Sequence, residues 1–247
     1  MANTLTGNSP KREQRVQSLM LDRLVLKYQR RINREIVRAM REAGRNQGFT
    51  KATLKKHEKN ISRLLNVLWN DSALTMSEYI VKPKKSLSDV SPTTIQDTVI
   101  RDWINTFGAE LITRITATTQ DDLKRVIGNG IRDGLTEREI TAQIYSVAPT
   151  VGASRSQAIA RTETHGAANL SAKATAEAAG VEMMREWVAS SGNRTRSTHA
   201  KANGQIVGMD EPFIVGGVEL MYPGDSSANE PSETINCRCA VAYVLKR

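Results

Sequence analysis

Apolar residues recur every four positions through the first half of the chain, and this spacing predicts long amphipathic helices. One helix is expected from Lys11 to Arg45 and a second from Lys51 to Ile80. A third series of apolar residues at four-residue spacing, which includes Trp103 and Phe107, predicts a helix from Thr93 to about Thr118. These two aromatic side chains fit core positions better than ligand-binding positions.

The middle of the chain carries a turn and a helix start. The glycine-rich segment Gly128–Gly134 lacks the preceding strand and the terminal Lys-Ser/Thr of a phosphate loop, so it is interpreted as a turn. Thr136 and Glu139 have the spacing of a capping box, which predicts that a helix begins there. Glu137 and Glu139 also match the carboxylate pair of ADP-ribosylating enzymes, but their position at a helix start favours capping over catalysis.

After Ala148-Pro149, the pattern of apolar and polar residues predicts both a helix and short strands. An alanine-rich helix is expected from Ser154 to Ala179, followed by strands at Val181–Ala189 and Cys237–Leu245. Turns between the strands are expected at Asn203-Gly204, Gly216-Gly217 and Tyr222–Asp225. The predicted fold class is therefore α+β, with a mainly α-helical N-terminal body and a small C-terminal α+β module of short antiparallel strands.

Four regions follow from these changes in pattern. They are a flexible polar arm over residues 1–10, a basic helical region over 11–92 with a linker near 81–92, a helical connector over 93–150, and a C-terminal module over 151–247.

Positive charge is concentrated in the first part of the chain. The 247 residues carry a formal net charge of +9, but residues 1–70 hold 16 Lys/Arg against 5 Asp/Glu. This excess suggests an acidic partner, either nucleic acid or an acidic protein surface, although solvated helix faces would look the same. Aromatic residues make up only 4%, which argues against a platform that stacks single-stranded bases. The candidate phosphate contacts are Arg30, Arg31, Arg34, Arg38, Arg41, Lys55 and Lys56.

Polar residues cluster at unusual positions in the C-terminal module. Arg161, Glu163, His165 and Asn169 interrupt a helix that is otherwise rich in alanine. Further polar blocks follow at Asn193–His199 and Asn236–Cys239. We interpret the set as a buried polar network that ties the long helix to a small sheet.

The two cysteines, Cys237 and Cys239, are too few for a disulfide framework, which indicates a reducing compartment. On an extended strand they would face the same side about 6.5–7 Å apart, at the edge of disulfide geometry. Such a pair suits metal coordination, with His199 or His165 and a carboxylate as the remaining ligands, while buried free thiols are the simpler alternative. Zinc is thus left open, and no other cofactor is expected.

Enzymatic activity is not favoured by the residues. His199 and Asn203 with the cysteine pair loosely suggest a metal-dependent nuclease of His-Asn-His character. However, no acidic cluster has metal-binding spacing, and no nucleophile has an evident base beside it. A nuclease, or another DNA-processing enzyme, is kept as the alternative.

Several blocks, taken in order, resemble a known family. They are Ile159-Ala160-Arg161-Thr162-Glu163-Thr164, Arg194-Thr195-Arg196 with His199, Tyr222-Pro223-Gly224-Asp225 and Asn236-Cys237-Arg238-Cys239. The order is similar to the phage Mu F-like minor head proteins, also called phage head morphogenesis proteins, and the resemblance covers roughly residues 120–245. The motif residues carried over as fold-defining are Arg161, Glu163, Asn169, Arg194, Arg196, His199, Asn236 and Arg238, with Cys237 and Cys239 beside them.

The resemblance implies a structural role in a bacteriophage virion. Such proteins act in head morphogenesis near the portal and are linked to genome packaging or ejection. The implied partners are the portal protein, a major capsid or scaffold protein and double-stranded DNA bound without sequence preference, with no membrane. The implied location is the capsid interior near the portal vertex, after assembly in the host cytoplasm. A competing interpretation is a pure adaptor whose basic helices meet an acidic portal surface.

Overall fold

Long helices form most of the chain, as the fold class predicted. The computed structural model describes residues 4–46, 48–82 and 90–246. Helix α1 spans Pro10–Arg45 and helix α2 spans Lys51–Val81, which confirms both predicted helices to within about a residue. The linker predicted near 81–92 lies mostly at 83–89, outside the described residues.

A run of helical segments then extends from Pro92 to Arg132. The segments are α3 (Pro92–Ile95), a π-helical turn (Gln96–Ile100), α4 (Arg101–Trp103), a second π-helical turn (Ile104–Gly108) and α5 (Ala109–Arg132). The predicted end near Thr118 is wrong, because α5 continues and buries Leu123. The turn lies at the end of the glycine segment, where Gly134 has φ +71° and Leu135 N–H donates to Gly130 O at 2.9 Å.

Helix α6 spans Glu137–Ala178 without interruption and contains Pro149, so the prediction of a separate helix that begins at Ser154 is wrong. A proline inside a helix removes one backbone hydrogen bond. Here packing on both sides compensates: Ile144 and Ala148 are fully buried, and Gly152 lies so close to Asn33 that a Cβ would stand 2.4 Å from its Oδ1. Tertiary contacts therefore hold the helix together through the proline.

The C-terminal strands form two small antiparallel sheets. Strand β1 (Met183–Val188) is central, between β2 (Ile206–Val207) and β5 (Ala240–Leu245), with Arg185 opposite both Val207 and Tyr243. Strands β3 (Phe213–Val215) and β4 (Val218–Leu220) form the hairpin predicted at Gly216-Gly217, whose φ angles are +63° and +85°. Short helices lie between the strands: α7 (Ser197–Ala202), a 3₁₀ turn (Ser226–Ala228) and α8 (Pro231–Thr234).

Two details of the strand prediction are wrong. Asn203-Gly204 does not close a hairpin between consecutive strands, because α7 forms before it and the turn leads from α7 into β2. The last strand begins at Ala240 instead of Cys237. Asn236 has φ +60°, and Cys237 N–H donates back to Thr234 O at 3.3 Å, so the backbone is still turning where the first cysteine stands.

The described residues at the N-terminus pair with the last strand, which differs from the flexible arm expected over residues 1–10. Thr4 bridges Val244 in antiparallel fashion, and Leu5 N–H donates to Tyr243 O at 2.7 Å. Leu5 is 1% exposed. An apolar side chain and a sheet edge with free hydrogen-bonding groups together fix this segment.

The chain divides into two compact units, each built from segments distant in sequence. Unit 1 contains the described parts of Met1–Val25, Leu68–Trp103 and Arg161–Arg247, and unit 2 those of Leu26–Val67 and Ile104–Ala160. The core of unit 1 surrounds Trp187 and Phe213, whereas unit 2 buries apolar residues of α1, α2, α5 and α6. None of the helices described here has the length and apolar character needed to cross a membrane.

Candidate functional site

The polar residues of α6 point into unit 1 and hold other segments against the helix. Glu163 accepts a hydrogen bond from Trp69 Nε1 at 2.9 Å. Asn169, 2% exposed, donates to Pro223 O at 3.0 Å and to Cys239 O at 3.3 Å. One amide group thus fixes two C-terminal loops on the helix, which agrees with the predicted polar network.

The turn around Asn236 brings together three of the predicted motif residues. Arg161 donates to Asn236 Oδ1 at 3.1 Å, and Arg196 donates to Ile235 O at 2.6 Å. Burial, and next the positive charges of Arg238 and Arg194, lower the pKa of Arg161. The motif arginines therefore gather around one tight turn instead of scattering over the surface.

The two cysteines and His199 converge on a single buried point. The Sγ atoms of Cys239 and Cys237 lie 3.3 Å and 3.7 Å from His199 Nδ1, and the three potential ligand atoms are all within 4.8 Å of one another. All three side chains are buried, and the Trp187 ring stands edge-on to the imidazole at 5.6 Å between centroids. The cysteines form no disulfide.

A fourth residue, Glu233 at the end of α8, completes this cluster. Its Oε2 atom lies 3.0 Å from His199 Nε2 and accepts a hydrogen bond from Thr198 Oγ1 at 2.9 Å. The sequence analysis missed Glu233. It is 34 positions from His199, and only the folding of α7 and α8 against each other brings the two groups together.

The local charges favour one thiolate in the cluster. The hydrogen bond from Cys237 lowers the pKa of Cys239 to about 5, with His199 and the Ser190 backbone contributing further. The same contact and burial raise the pKa of Cys237 well above its usual value. Burial opposes the charged imidazole, but hydrogen bonding to Cys239 raises the pKa of His199. Chemically, the cluster is a soft sulfur–nitrogen donor set that carries negative charge.

His165 does not join the cysteines, although it was weighed as a ligand. It is fully buried in α6, and burial followed by the charges of Arg161 and Arg238 lowers its pKa to about 3. Its Nε2 has no hydrogen-bond partner within the part of the chain that the structure describes.

The predicted phosphate contacts lie in unit 2, along α1 and the start of α2. Arg30, Arg31, Arg34, Arg41, Lys55 and Lys56 are exposed. Two of the set are neutralised by carboxylates: Arg38 contacts Glu35 and Glu42 at 2.6 Å each, and Lys56 contacts Glu42 at 3.1 Å.

A groove of about 540 Å³ runs between α1 and α2 within unit 2. Its charged lining includes Arg31, Arg34 and Arg38 of the predicted set, and also Arg63, which the sequence analysis did not select. Lys55, Lys59 and Arg63 follow one another at intervals of four residues, so the spacing of basic residues in α2 could have indicated Arg63.

The Glu137/Glu139 pair serves a helix start, as predicted. Glu139 accepts hydrogen bonds from Thr136 N–H at 2.7 Å and from Thr136 Oγ1 at 2.6 Å. Glu139 N–H donates to Thr136 Oγ1 at 3.4 Å, which completes the capping box.

Comparison with known proteins identifies the region around this cluster. Residues 121–242 match the family model for Phage Mu protein F like protein. This region belongs to the Mu F-like family. The Mu F-like region holds every motif residue from Arg161 to Arg238 and the whole His199–cysteine cluster, which confirms the predicted resemblance. The basic residues of α1 and α2 lie outside it.

Three curated proteins are similar to the chain. Minor head protein GP7 of Bacillus phage SPP1 is 31% identical over 129 residues, which cover 51% of this chain and 41% of the relative. The NAD(+)–arginine ADP-ribosyltransferase EFV of Enterococcus faecalis is 31% identical over 132 residues, 51% of this chain and 27% of the enzyme. YqbB of Bacillus subtilis, an uncharacterised protein, is 24% identical over 147 residues, 58% of this chain and 48% of the relative.

The chain thus spans less than half the length of each of these curated relatives. No solved structure matches it. The family match and the similarity to GP7 support the predicted assignment to phage minor head proteins.

Proposed function

We propose that the protein is a minor head protein that acts in head morphogenesis at the portal vertex, with its basic α1–α2 face against packaged double-stranded DNA. The family match of residues 121–242 carries the proposal. In this role it contacts the portal protein and a major capsid or scaffold protein, assembles in the host cytoplasm and remains inside the capsid, where it aids genome packaging or ejection.

A structural role is supported by how the Mu F-like region uses its polar groups. Asn169 and Arg196 bind backbone carbonyls, and Glu163 and Glu233 accept hydrogen bonds from other side chains. The Glu139 carboxylate, the counterpart of a catalytic acid in the ADP-ribosylating alternative, is engaged in a capping box. These groups hold the fold together, so we infer a non-enzymatic protein.

The DNA contact is supported by arginines that lack a local counter-charge. Within residues 4–46, 48–82 and 90–246, no carboxylate lies within ion-pair distance of Arg30, Arg31 or Arg34. Arg34 is four residues from Arg30 and three from Arg31, so the three side chains lie within about 100° of one another around the helix. Guanidinium groups without a carboxylate partner suit phosphates, and Arg31 lies over the Tyr28 ring at 5.6 Å without losing its charge. Such phosphate contacts carry no sequence information.

Co-expression with the portal protein of the same phage tests the head role. We expect the two proteins to co-purify at a fixed ratio that differs from 1:1, as a minor component requires. Failure to co-purify under conditions in which both proteins are folded would contradict portal association.

The DNA contact is tested by replacing Arg30, Arg31 and Arg34 with alanine together. We expect weaker binding to unrelated duplexes and a salt slope that is smaller by up to about 3, since each lost phosphate contact removes about 0.9. The matched control replaces Lys11, Arg12 and Arg15, which are exposed on the same helix but in unit 1. If both variants lose the same DNA affinity, binding depends on net charge alone and not on this helix face. If the first variant loses no DNA affinity, the DNA role is refuted. In the latter case, the adaptor on an acidic portal surface becomes the better account.

A further inference from the structure

We propose that Cys237, Cys239 and His199 hold one zinc ion, and that Glu233 fixes the histidine from its outer side. Zinc held by cysteine and histidine binds sulfur at about 2.3 Å and nitrogen at about 2.0–2.1 Å in a tetrahedron, which requires ligand atoms roughly 3.5–3.8 Å apart. The two Nδ1–Sγ distances in the structure are 3.3 and 3.7 Å. Both nitrogen–sulfur distances are therefore close to those around a tetrahedral ion, and the two sulfur atoms lie within 4.8 Å of each other.

Glu233 gives the histidine the correct protonation for this role. A metal-bound imidazole typically donates its second ring N–H to a carboxylate, which fixes the tautomer and the ring orientation. With zinc bound, the proton on Nε2 would be donated to Glu233 Oε2, and Nδ1, which contacts Cys239 Sγ in the free site, would be deprotonated and would face the ion.

The carboxylate is itself held in place from two sides. Thr198 Oγ1 donates to the same Oε2 atom at 2.9 Å. On the other side, a Cβ at Gly216 would stand only 2.6 Å from Glu233 Oε1, so the backbone of the β3–β4 hairpin closes against it. Such support of the outer shell is typical of a built metal site and is not needed by a pair of inert thiols.

The position of the site explains what the ion does. The donors come from α7 and from the loop before β5, while the outer partner comes from α8. The sheets of this region consist of strands of only two to six residues. One ion would cross-link α7 to the loop before β5, with α8 attached through Glu233, so we expect it to stabilise the fold. The described residues supply three protein ligands here, one fewer than a closed tetrahedral site has, so a water molecule would complete the coordination of the ion.

Metal analysis of the purified, reduced full chain tests the proposal. We expect close to one zinc per chain, restored by zinc titration after the metal is removed with a chelator, and a thermal midpoint that falls on removal. Cobalt in place of zinc is expected to give thiolate-to-metal charge-transfer absorption. That absorption should be lost in Cys239→Ser. A metal content near zero together with no uptake on titration would overturn the proposal, as would a Cys237–Cys239 disulfide in the native protein.

The Glu233→Gln variant tests whether Glu233 contributes to zinc affinity apart from any effect on the stability of the fold. We expect zinc affinity to fall about 10–100-fold, with the ion still bound at saturating metal. Glu219→Gln, on the exposed face of β4, is the matched control and should leave affinity unchanged. Unaltered affinity in Glu233→Gln would remove Glu233 from the site. Loss of zinc affinity in both variants would show that the measurement follows stability alone. These readouts do not depend on any role in a phage head.

Discussion

Arginine is used in opposite ways by the two units. In unit 1, Arg185 on β1 is fully buried and donates to the carbonyl oxygens of Gly208, Met221 and Glu211. Its guanidinium group also lies over the Phe213 ring at 5.1 Å. In unit 2, arginines such as Arg30 and Arg34 are exposed on α1 with no carboxylate partner among the described residues.

The difference shows that a count of charges does not reveal what the charges do. A buried guanidinium that satisfies three carbonyls acts as a structural cross-link, and its removal leaves acceptors without donors. An exposed guanidinium contributes little to stability and is available to a partner. The same residue type therefore supports the fold in one unit and offers a binding surface in the other.

The largest expected effect comes from Arg185→Met, which keeps the length of the side chain and removes its donors. The carbonyls of Gly208, Met221 and Glu211 then lose their partner inside the protein, and we expect the free energy of unfolding to fall by about 3–5 kcal/mol. Arg23→Met, at an exposed position of the same unit, should change it by less than about 0.5 kcal/mol. Urea unfolding measures both, and similar values for the two variants would contradict the structural role of Arg185.

The next effect is acid sensitivity caused by His165. Burial lowers its pKa from 6.5 to about 3, so between these values the unfolded chain binds a proton that the native protein does not. Stability should therefore decrease as the pH falls below about 6.5, by up to about 1.4 kcal/mol per pH unit from this group.

In His165→Gln, the free energy of unfolding should fall less steeply as the pH decreases below about 6.5. Between pH 7 and pH 8, its pH dependence should stay parallel to that of the wild type. The measurement is the free energy of unfolding in urea from pH 8 to pH 4. A slope unchanged in the variant would show that other groups cause the acid sensitivity.

A smaller effect, of opposite sign, is expected in unit 2. Pro149→Ala restores a backbone donor in the middle of α6 and should raise the free energy of unfolding, by up to about 3 kcal/mol. Thr150→Ala, at the neighbouring exposed position, controls for helix propensity. If Pro149→Ala destabilises the protein, the ring must make contacts that outweigh the missing hydrogen bond.

The sequence predicted features that depend on neighbours along the chain. Helices α1 and α2, the Gly216-Gly217 hairpin and the Thr136/Glu139 capping box all follow from local spacing, and all were confirmed. Pro149 shows where this reasoning fails, because the local signal for a break is overruled by packing against α1.

The candidate site was predictable only in part for the same reason. Cys237, Cys239 and His199 are residue types that suggest metal chemistry, so they could be selected from the sequence. Glu233 and Arg185 could not, because neither spacing nor composition marks an acid 34 positions from its histidine or an arginine inside a strand. Their roles arise from tertiary contacts alone.

The smallest change in stability is expected for Arg34→Ala, and this variant tests the contrast between the units most directly. Its side chain is exposed and unpaired among the described residues, so the free energy of unfolding should stay within about 0.5 kcal/mol of the wild type. DNA binding should nevertheless weaken, with a salt slope smaller by about 0.9.

Arg38→Ala is the informative control, because its contacts with Glu35 and Glu42 already neutralise the charge. It should cost more stability than Arg34→Ala and change the salt slope less. The reverse order would mean that the paired arginine, not the free one, faces the phosphates, and the assignment of the α1 face would have to be redrawn.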